Sequence, residues 1–161
     1  MSSAREQFAL LEAQYASISP PQRLSMAAEL LEWTVANFDT PINDRTVADL
    51  VSRAQIAINA AVDAGLSAAP ADPALTDQLF SVAEDTNEPG AFNLLGAFRL
   101  CFDHIEPEIT PQRLLGIFDR CYQADYVRYT EPAIAVGEGD PSARGQRIFA
   151  RQAELRQRYL P

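Results

Sequence analysis

The chain of 161 residues is long enough to bury one hydrophobic core without help from metal ions or disulfides. Its 47% hydrophobic and 22% charged residues are typical of a globular domain and exclude wholesale disorder. All 13 basic side chains are arginines. The net charge of −9 argues against binding to nucleic acid or to anionic membranes, because phosphate groups repel a negative surface.

Residues 1–161 are predicted to form a single helical domain. No apolar run approaches the roughly 20 residues needed to cross a bilayer. The N-terminus lacks the basic and apolar stretches of a signal peptide, so we expect a cytoplasmic protein.

Helix starts are marked by proline after a capping residue, because proline at the first helical position loses no hydrogen bond. The pattern occurs at Ser19-Pro20, Asp72-Pro73, Thr110-Pro111 and Asp140-Pro141, and Ser19 with Gln22 has capping-box spacing. Residues 19–24 and 110–114 also share the order Pro-Gln-Arg-Leu, which common capping chemistry explains as well as duplication does.

Apolar residues recur at helical spacing along the whole chain, and no window alternates with the period of a strand. The pattern predicts an all-α fold, an antiparallel bundle of about seven helices. Seven segments have this spacing. The first four are Phe8–Ile18, about 20–38, Val47–Val62 before a stop at Gly65, and Leu75–Ala83. The last three are about 90–104, about 111–129 and about 141–159. The segment over about 90–104 is apolar nearly all the way round and is predicted to be the central helix.

No residue constellation predicts catalysis, a cofactor or a metal site. Cys101 and Cys121 are expected to be small buried hydrophobes. With the single histidine, His104, they are too few for a structural zinc site. His104 falls near a predicted helix C-terminus, where it is expected to cap the helix.

The best enzymatic alternative is a magnesium-dependent, all-helical nucleotide pyrophosphohydrolase. Glu29 and Glu32 form one Glu-x-x-Glu turn on a helix face. The second acidic pair that such enzymes need is missing from the next predicted helix, which offers only Asp49 and Asp63.

Acidic residues are concentrated on either side of the apolar helix. They are Glu84, Asp85, Glu88, Asp103, Glu106 and Glu108. Carboxylates in loops stay hydrated, and the cluster is either a solvated surface or a landing site that speeds docking of a basic partner.

Aromatic residues follow one side of the helix predicted over about 111–129. Tyr122, Tyr126 and Tyr129 continue a stripe that begins at Phe118. Either they pack in the core, or some are exposed beside carboxylates, a composition typical of interface hot spots.

The last predicted helix is basic in an acidic protein. Residues 142–161 hold five arginines against one glutamate, a charge of +4, so the rest of the chain carries −13. Arg144, Arg147, Arg151 and Arg158 share one helix face. This face either pairs with the acidic body or is offered to another chain, and residues 131–140, with two glycines, link it to the body.

The chain resembles the small, acidic, all-helical immunity proteins of bacterial toxin systems. The resemblance rests on the helix from Arg23 to Phe38, the apolar helix and the segment from Leu114 to Tyr122. It implies a cytoplasmic protein that neutralises a toxin by covering the toxin's basic active site. We therefore expect a non-enzymatic domain that binds a basic protein partner. The pyrophosphohydrolase and a structural dimer built on the last helix are the alternatives.

Overall fold

The computed structural model describes residues 3–129 and 141–161, and the described residues form an all-α bundle. The helices are α1 (Ala4–Ala16), α2 (Pro20–Ala36), α3 (Arg45–Asp63), α4 (Pro73–Asp85), α5 (Ala91–Arg99), α6 (Pro111–Tyr129) and α7 (Pro141–Tyr159). This confirms the predicted fold class. The glycine-containing segment 131–140 lies outside the described residues.

Proline starts α2, α4 and α6 as the sequence predicts, but the predicted caps are only partly correct. Asp72 accepts the Ala74 N–H, and Thr110 accepts the Arg113 N–H. Ser19 makes no capping hydrogen bond, so the capping box predicted there is wrong. A capping box forms instead between Ser3 and Glu6 at the start of α1.

Gly65 ends α3, as the stop signal predicts. It has φ +71°, and the amides of Gly65 and Leu66 bond back to the carbonyls of Val62 and Ala61. This is a Schellman motif, which requires a left-handed residue after the helix.

The central position of α5 is confirmed, because α5 packs against α3, α4 and α6. It begins after Gly90, which has φ +75° and lies so close to the backbone of Ala124 that a side chain there would collide with it. The helix ends five residues earlier than predicted, and Phe92 on it is more than half exposed.

The early end of α5 has a tertiary cause. The Ala69 N–H bonds to the Cys101 carbonyl at 2.8 Å, and the Asp103 N–H bonds to the Ala69 carbonyl at 2.9 Å. These bonds form an isolated bridge in place of a further helical turn. Helical periodicity in residues 100–104 could not show that their backbone pairs with a segment thirty positions away.

No helix in the described ranges is both long enough and apolar enough to span a membrane.

Candidate functional site

Buried arginines organise the loops of the molecule. Arg113, in the first turn of α6, donates to four backbone carbonyls, those of Leu100, Phe102, Glu106 and Glu108. Its distances to the last three are 3.2 Å or less. The loop before α6 therefore folds around a cation.

Arg23, in α2, plays a similar part. It donates to the carbonyls of Ile18 at 2.9 Å and Ile109 at 2.7 Å. Arg23 and Arg113 occupy the same place in the Pro-Gln-Arg-Leu order, and each bonds to the carbonyl five residues before it. The shared sequence thus has a shared structural role, which is to hold the loop that enters the helix.

Arg128, in the last turn of α6, gathers two further loops. It donates to the carbonyls of Thr40, Pro41 and Pro89, and it forms an ion pair with Glu88 at 3.7 Å. The Glu88 side chain is only 7% exposed, and it also accepts the Asn43 N–H. The expectation of a hydrated carboxylate is therefore wrong for Glu88.

Arg144 joins α7 to the body. Its guanidinium makes two hydrogen bonds to the buried carboxylate of Asp125, at 2.9 and 2.7 Å, and one to Asp39 at 2.5 Å. It lies over the ring of Tyr129, 3.8 Å from the ring centroid. The bonds to Asp125 raise the pKa of Arg144.

The rest of the basic face on α7 is divided. Arg158 pairs with Glu29 of α2, whereas Arg151 pairs with Glu154 of its own helix at 3.0 Å. Arg147 is exposed. Ile148 and Leu155 are buried, so α7 docks its apolar edge on the bundle. Two of the four arginines of the basic face, Arg144 and Arg158, therefore pair with the acidic body.

The carboxylates of the predicted acidic cluster have different environments. Asp103 accepts the Ala71 N–H at 2.7 Å and holds the bridge between residues 69 and 102. Glu108 is half-buried, and Glu84, Asp85 and Glu106 are exposed.

The inward arginines leave the remaining surface more acidic than the sequence total. The buried or nearly buried charges are Arg23, Arg113, Arg128, Arg144, Glu88 and Asp125. Four are positive and two negative, so the rest of the chain carries −11 against −9 for the whole. Such a surface attracts a basic partner.

The predicted tyrosines have different environments. The Tyr129 hydroxyl accepts the N–H groups of Asp39, at 2.7 Å, and Thr40, at 3.2 Å. Burial alone would raise the pKa of Tyr129, but these hydrogen bonds outweigh it and lower the pKa. Tyr129 is therefore part of the α6–α7 junction.

Tyr122 is half-buried against α7, and Tyr126 beside it is exposed. The Tyr122 ring stacks on Phe149 with a centroid distance of 4.8 Å and lies 6.1 Å from Tyr126. Tyr126 and Phe149 are exposed, as is Phe8 of α1.

Phe8, Tyr122 and Phe149 border a groove of about 240 Å³ between α1, α6 and α7, which we call the aromatic groove. Its lining residues are Phe8, Leu11, Tyr15, Leu115, Phe118, Asp119, Tyr122, Phe149, Gln152 and Arg156. An exposed aromatic surface of this kind is typical of a site that binds another protein.

Sequence reasoning found Tyr122 and Tyr126 but missed Phe8 and Phe149. Phe8 lies on the apolar line of α1, but α1 packs mainly on α6 alone, which leaves this side uncovered. Phe149 directly follows the buried Ile148 and lies at the margin of the docked edge of α7, where it stacks on Tyr122 and stays half exposed. The position of Phe149 directly after Ile148 was the sequence signal that could have indicated its exposure.

The described ranges contain no group of three or more His, Cys, Asp or Glu side chains that could hold a metal ion. Cys101 and Cys121 are unpaired and fully buried, as the sequence predicts. Burial raises the pKa of both thiols, to about 12 for Cys121, so neither is a ready nucleophile.

His104 does not cap a helix, because α5 ends before it. Both ring nitrogens are buried and have no hydrogen-bond partner among the residues that the structure describes. Burial, with Arg99 and Arg113 nearby, lowers the pKa of His104.

Comparisons with protein-family models, with curated proteins and with solved structures found no match to this chain.

Proposed function

We propose that this chain is a non-enzymatic protein-binding domain that occludes a basic partner, in the manner of the immunity proteins of bacterial toxin systems. One observation carries the proposal: the aromatic groove is bordered by the exposed Phe8 and Phe149 and by the half-buried Tyr122, on a strongly acidic protein. Aromatic side chains held in place by packing supply large contact area at small entropic cost, which makes them effective hot spots.

The charge distribution supports a basic partner. The most buried arginines bond to carbonyls and carboxylates of this chain, and Arg144 and Arg158 of α7 pair with the body. The groove itself is lined by one acidic and one basic side chain, Asp119 and Arg156, so the attraction for a basic partner comes from the net charge of −9 on the whole chain. We expect this attraction to speed encounter and the groove to slow dissociation.

The test is to express the chain with a toxin encoded beside its gene and to measure growth protection, affinity and association rate. Phe149→Ala should weaken binding at least about 30-fold, as for a hot spot of 2 kcal/mol, and should abolish protection. Phe80→Ala, which removes an equally exposed phenylalanine from α4, is the matched control and should bind like the native chain.

The association rate should fall steeply between low and high salt, because steering is screened. A salt-independent rate, or equal binding by the Phe149 and Phe80 variants, would contradict the proposal. Magnesium-dependent nucleotide turnover abolished by Glu29→Ala would favour the enzymatic alternative instead.

A further inference from the structure

A second, smaller opening lies between α4, α5 and α6, on a part of the molecule that shares no lining residue with the aromatic groove. We call this cavity of about 140 Å³ the phenylalanine slot. Leu79 and Ala83 form its apolar floor, and Phe80 and Phe92, each more than half exposed, stand at its walls.

Two arginines and one glutamate, Glu84, are the charged residues that line this slot. Arg99 donates its Nε–H to the Thr76 carbonyl at 3.3 Å and lies 5.2 Å from the centroid of the Phe80 ring. Arg120 comes from α6 and lies against Gly96, with its Nη1 only 2.6 Å from the point that a glycine Cβ would occupy. The missing side chain at Gly96 gives the guanidinium its place beside the slot.

Arg120 differs from the other partly or fully buried arginines. Within residues 3–129 and 141–161, each of the others donates a hydrogen bond to a carbonyl, a carboxylate or a hydroxyl, whereas Arg120 has neither a hydrogen-bond nor an ion-pair partner. Glu84 also lines the slot but forms no ion pair with either arginine of the slot. Arg120 is half-buried, but its guanidinium nitrogens reach solvent, so the group is available to an anion that enters the slot.

The volume of the slot limits the size of the apolar part of the ligand. A cavity of about 150 Å³ lined by apolar side chains accommodates one benzene ring. Phe80 and Phe92 offer ring faces and edges for stacking.

We infer that the phenylalanine slot binds a small aromatic monocarboxylate, with the ring between Phe80 and Phe92 and the carboxylate on Arg120 and Arg99. The inference does not depend on the proposed partner, because binding at the slot needs no residue of the aromatic groove.

The experiment is a titration of the full chain with phenylacetate, followed by NMR shifts of the backbone amides. A dissociation constant on the order of 1 mM is expected for a ligand of this size, with the saturable shifts centred on Gly96 and Phe92. Phenylacetamide and benzylamine, which keep the ring but lose the negative charge, should bind about tenfold more weakly or not at all.

Arg120→Gln should raise the dissociation constant of phenylacetate about tenfold, and the amide spectrum of the same sample reports whether the variant is folded. Arg147→Gln makes the same charge change on exposed α7 and should leave the constant unchanged. Phe92→Ala, at a more than half exposed position, provides a second variant that should weaken binding without disturbing the core.

Absence of saturation with phenylacetate would overturn the inference. So would equal binding of phenylacetamide, equal binding by the Arg120 variant, an equal loss in the Arg147 variant, or shifts centred on Tyr122 in the aromatic groove.

Discussion

The two ends of α6 each hold a buried arginine, but they stabilise it differently. At the first turn, Arg113 bonds to carbonyls of a single loop, residues 100–108. At the last turn, Arg128 bonds to carbonyls of two separate segments and pairs with Glu88. Asp125 and Arg144 add a second ion pair at this end.

The difference follows from the position of each cation on the helix. A helix C-terminus favours positive charge, whereas an N-terminus opposes it. Arg113 therefore lacks the dipole's help, and burial lowers its pKa. Arg113 stays buried because it donates to carbonyls of the 100–108 loop that no equally strong donor reaches. The loop and the guanidinium therefore stabilise each other.

The largest effect is expected at the Arg113 end. Arg113→Met leaves buried carbonyls of the 100–108 loop without their donor and should reduce the free energy of unfolding by about 3–5 kcal/mol. Urea denaturation measures the change. Arg147→Met, at an exposed position, is the control and should stay within about 0.5 kcal/mol of the native chain. A loss under about 1 kcal/mol for Arg113→Met would show that water replaces the guanidinium.

The next effect should appear at the α6–α7 junction. Asp125→Asn should cost about 2–3 kcal/mol, since Arg144 is only 14% exposed and keeps Asp39 as a partner. A double-mutant cycle with Arg144→Gln should give a coupling above about 1 kcal/mol. The cycle for Glu29 and Arg158 is the matched control from the same helix, with both side chains at least 40% exposed, and should give about 0–1 kcal/mol. Equal coupling in the two cycles would contradict a special role for the Asp125 junction.

A smaller loss is expected for Glu88→Gln. Arg128 keeps its three carbonyl acceptors, and the pair distance of 3.7 Å is long, so the cost should be about 1 kcal/mol. Thermal and urea unfolding both measure it. A cost as large as that of Asp125→Asn would mean that Glu88, rather than the carbonyls, holds Arg128.

The smallest expected effect is a pH dependence of stability that arises at the Arg113 end of α6. His104 lies beside the Arg113 loop, and its folded-state pKa is lowered from 6.5, first by burial. The unfolded chain then binds the proton more readily, so stability is fully present above pH 6.5 and falls as the pH drops below it. His104→Leu should flatten the stability profile between about pH 7 and 5. An unchanged slope in that variant would place the pH dependence elsewhere.

Much of the fold could be predicted because its signals are local. Proline after a capping residue marks the starts of α2, α4 and α6, and Gly65 marks the end of α3. The candidate surface was predicted less completely. Tyr122 was on the predicted stripe, but Phe8 and Phe149 were missed, since their exposure depends on which neighbouring helices cover α1 and α7.

The sequence by itself determined seven amphipathic or apolar helices, an acidic body and a basic last helix, because periodicity, capping and charge are properties of short segments. Only the tertiary structure decided which charges are available at the surface. Glu88 and Asp125 are buried by arginines, and Tyr129 holds a loop, while Tyr122 on the same helix borders the aromatic groove. The physical reason is that a buried cation draws its partners from whichever loops the packing brings within hydrogen-bond distance, and those loops are distant in the chain.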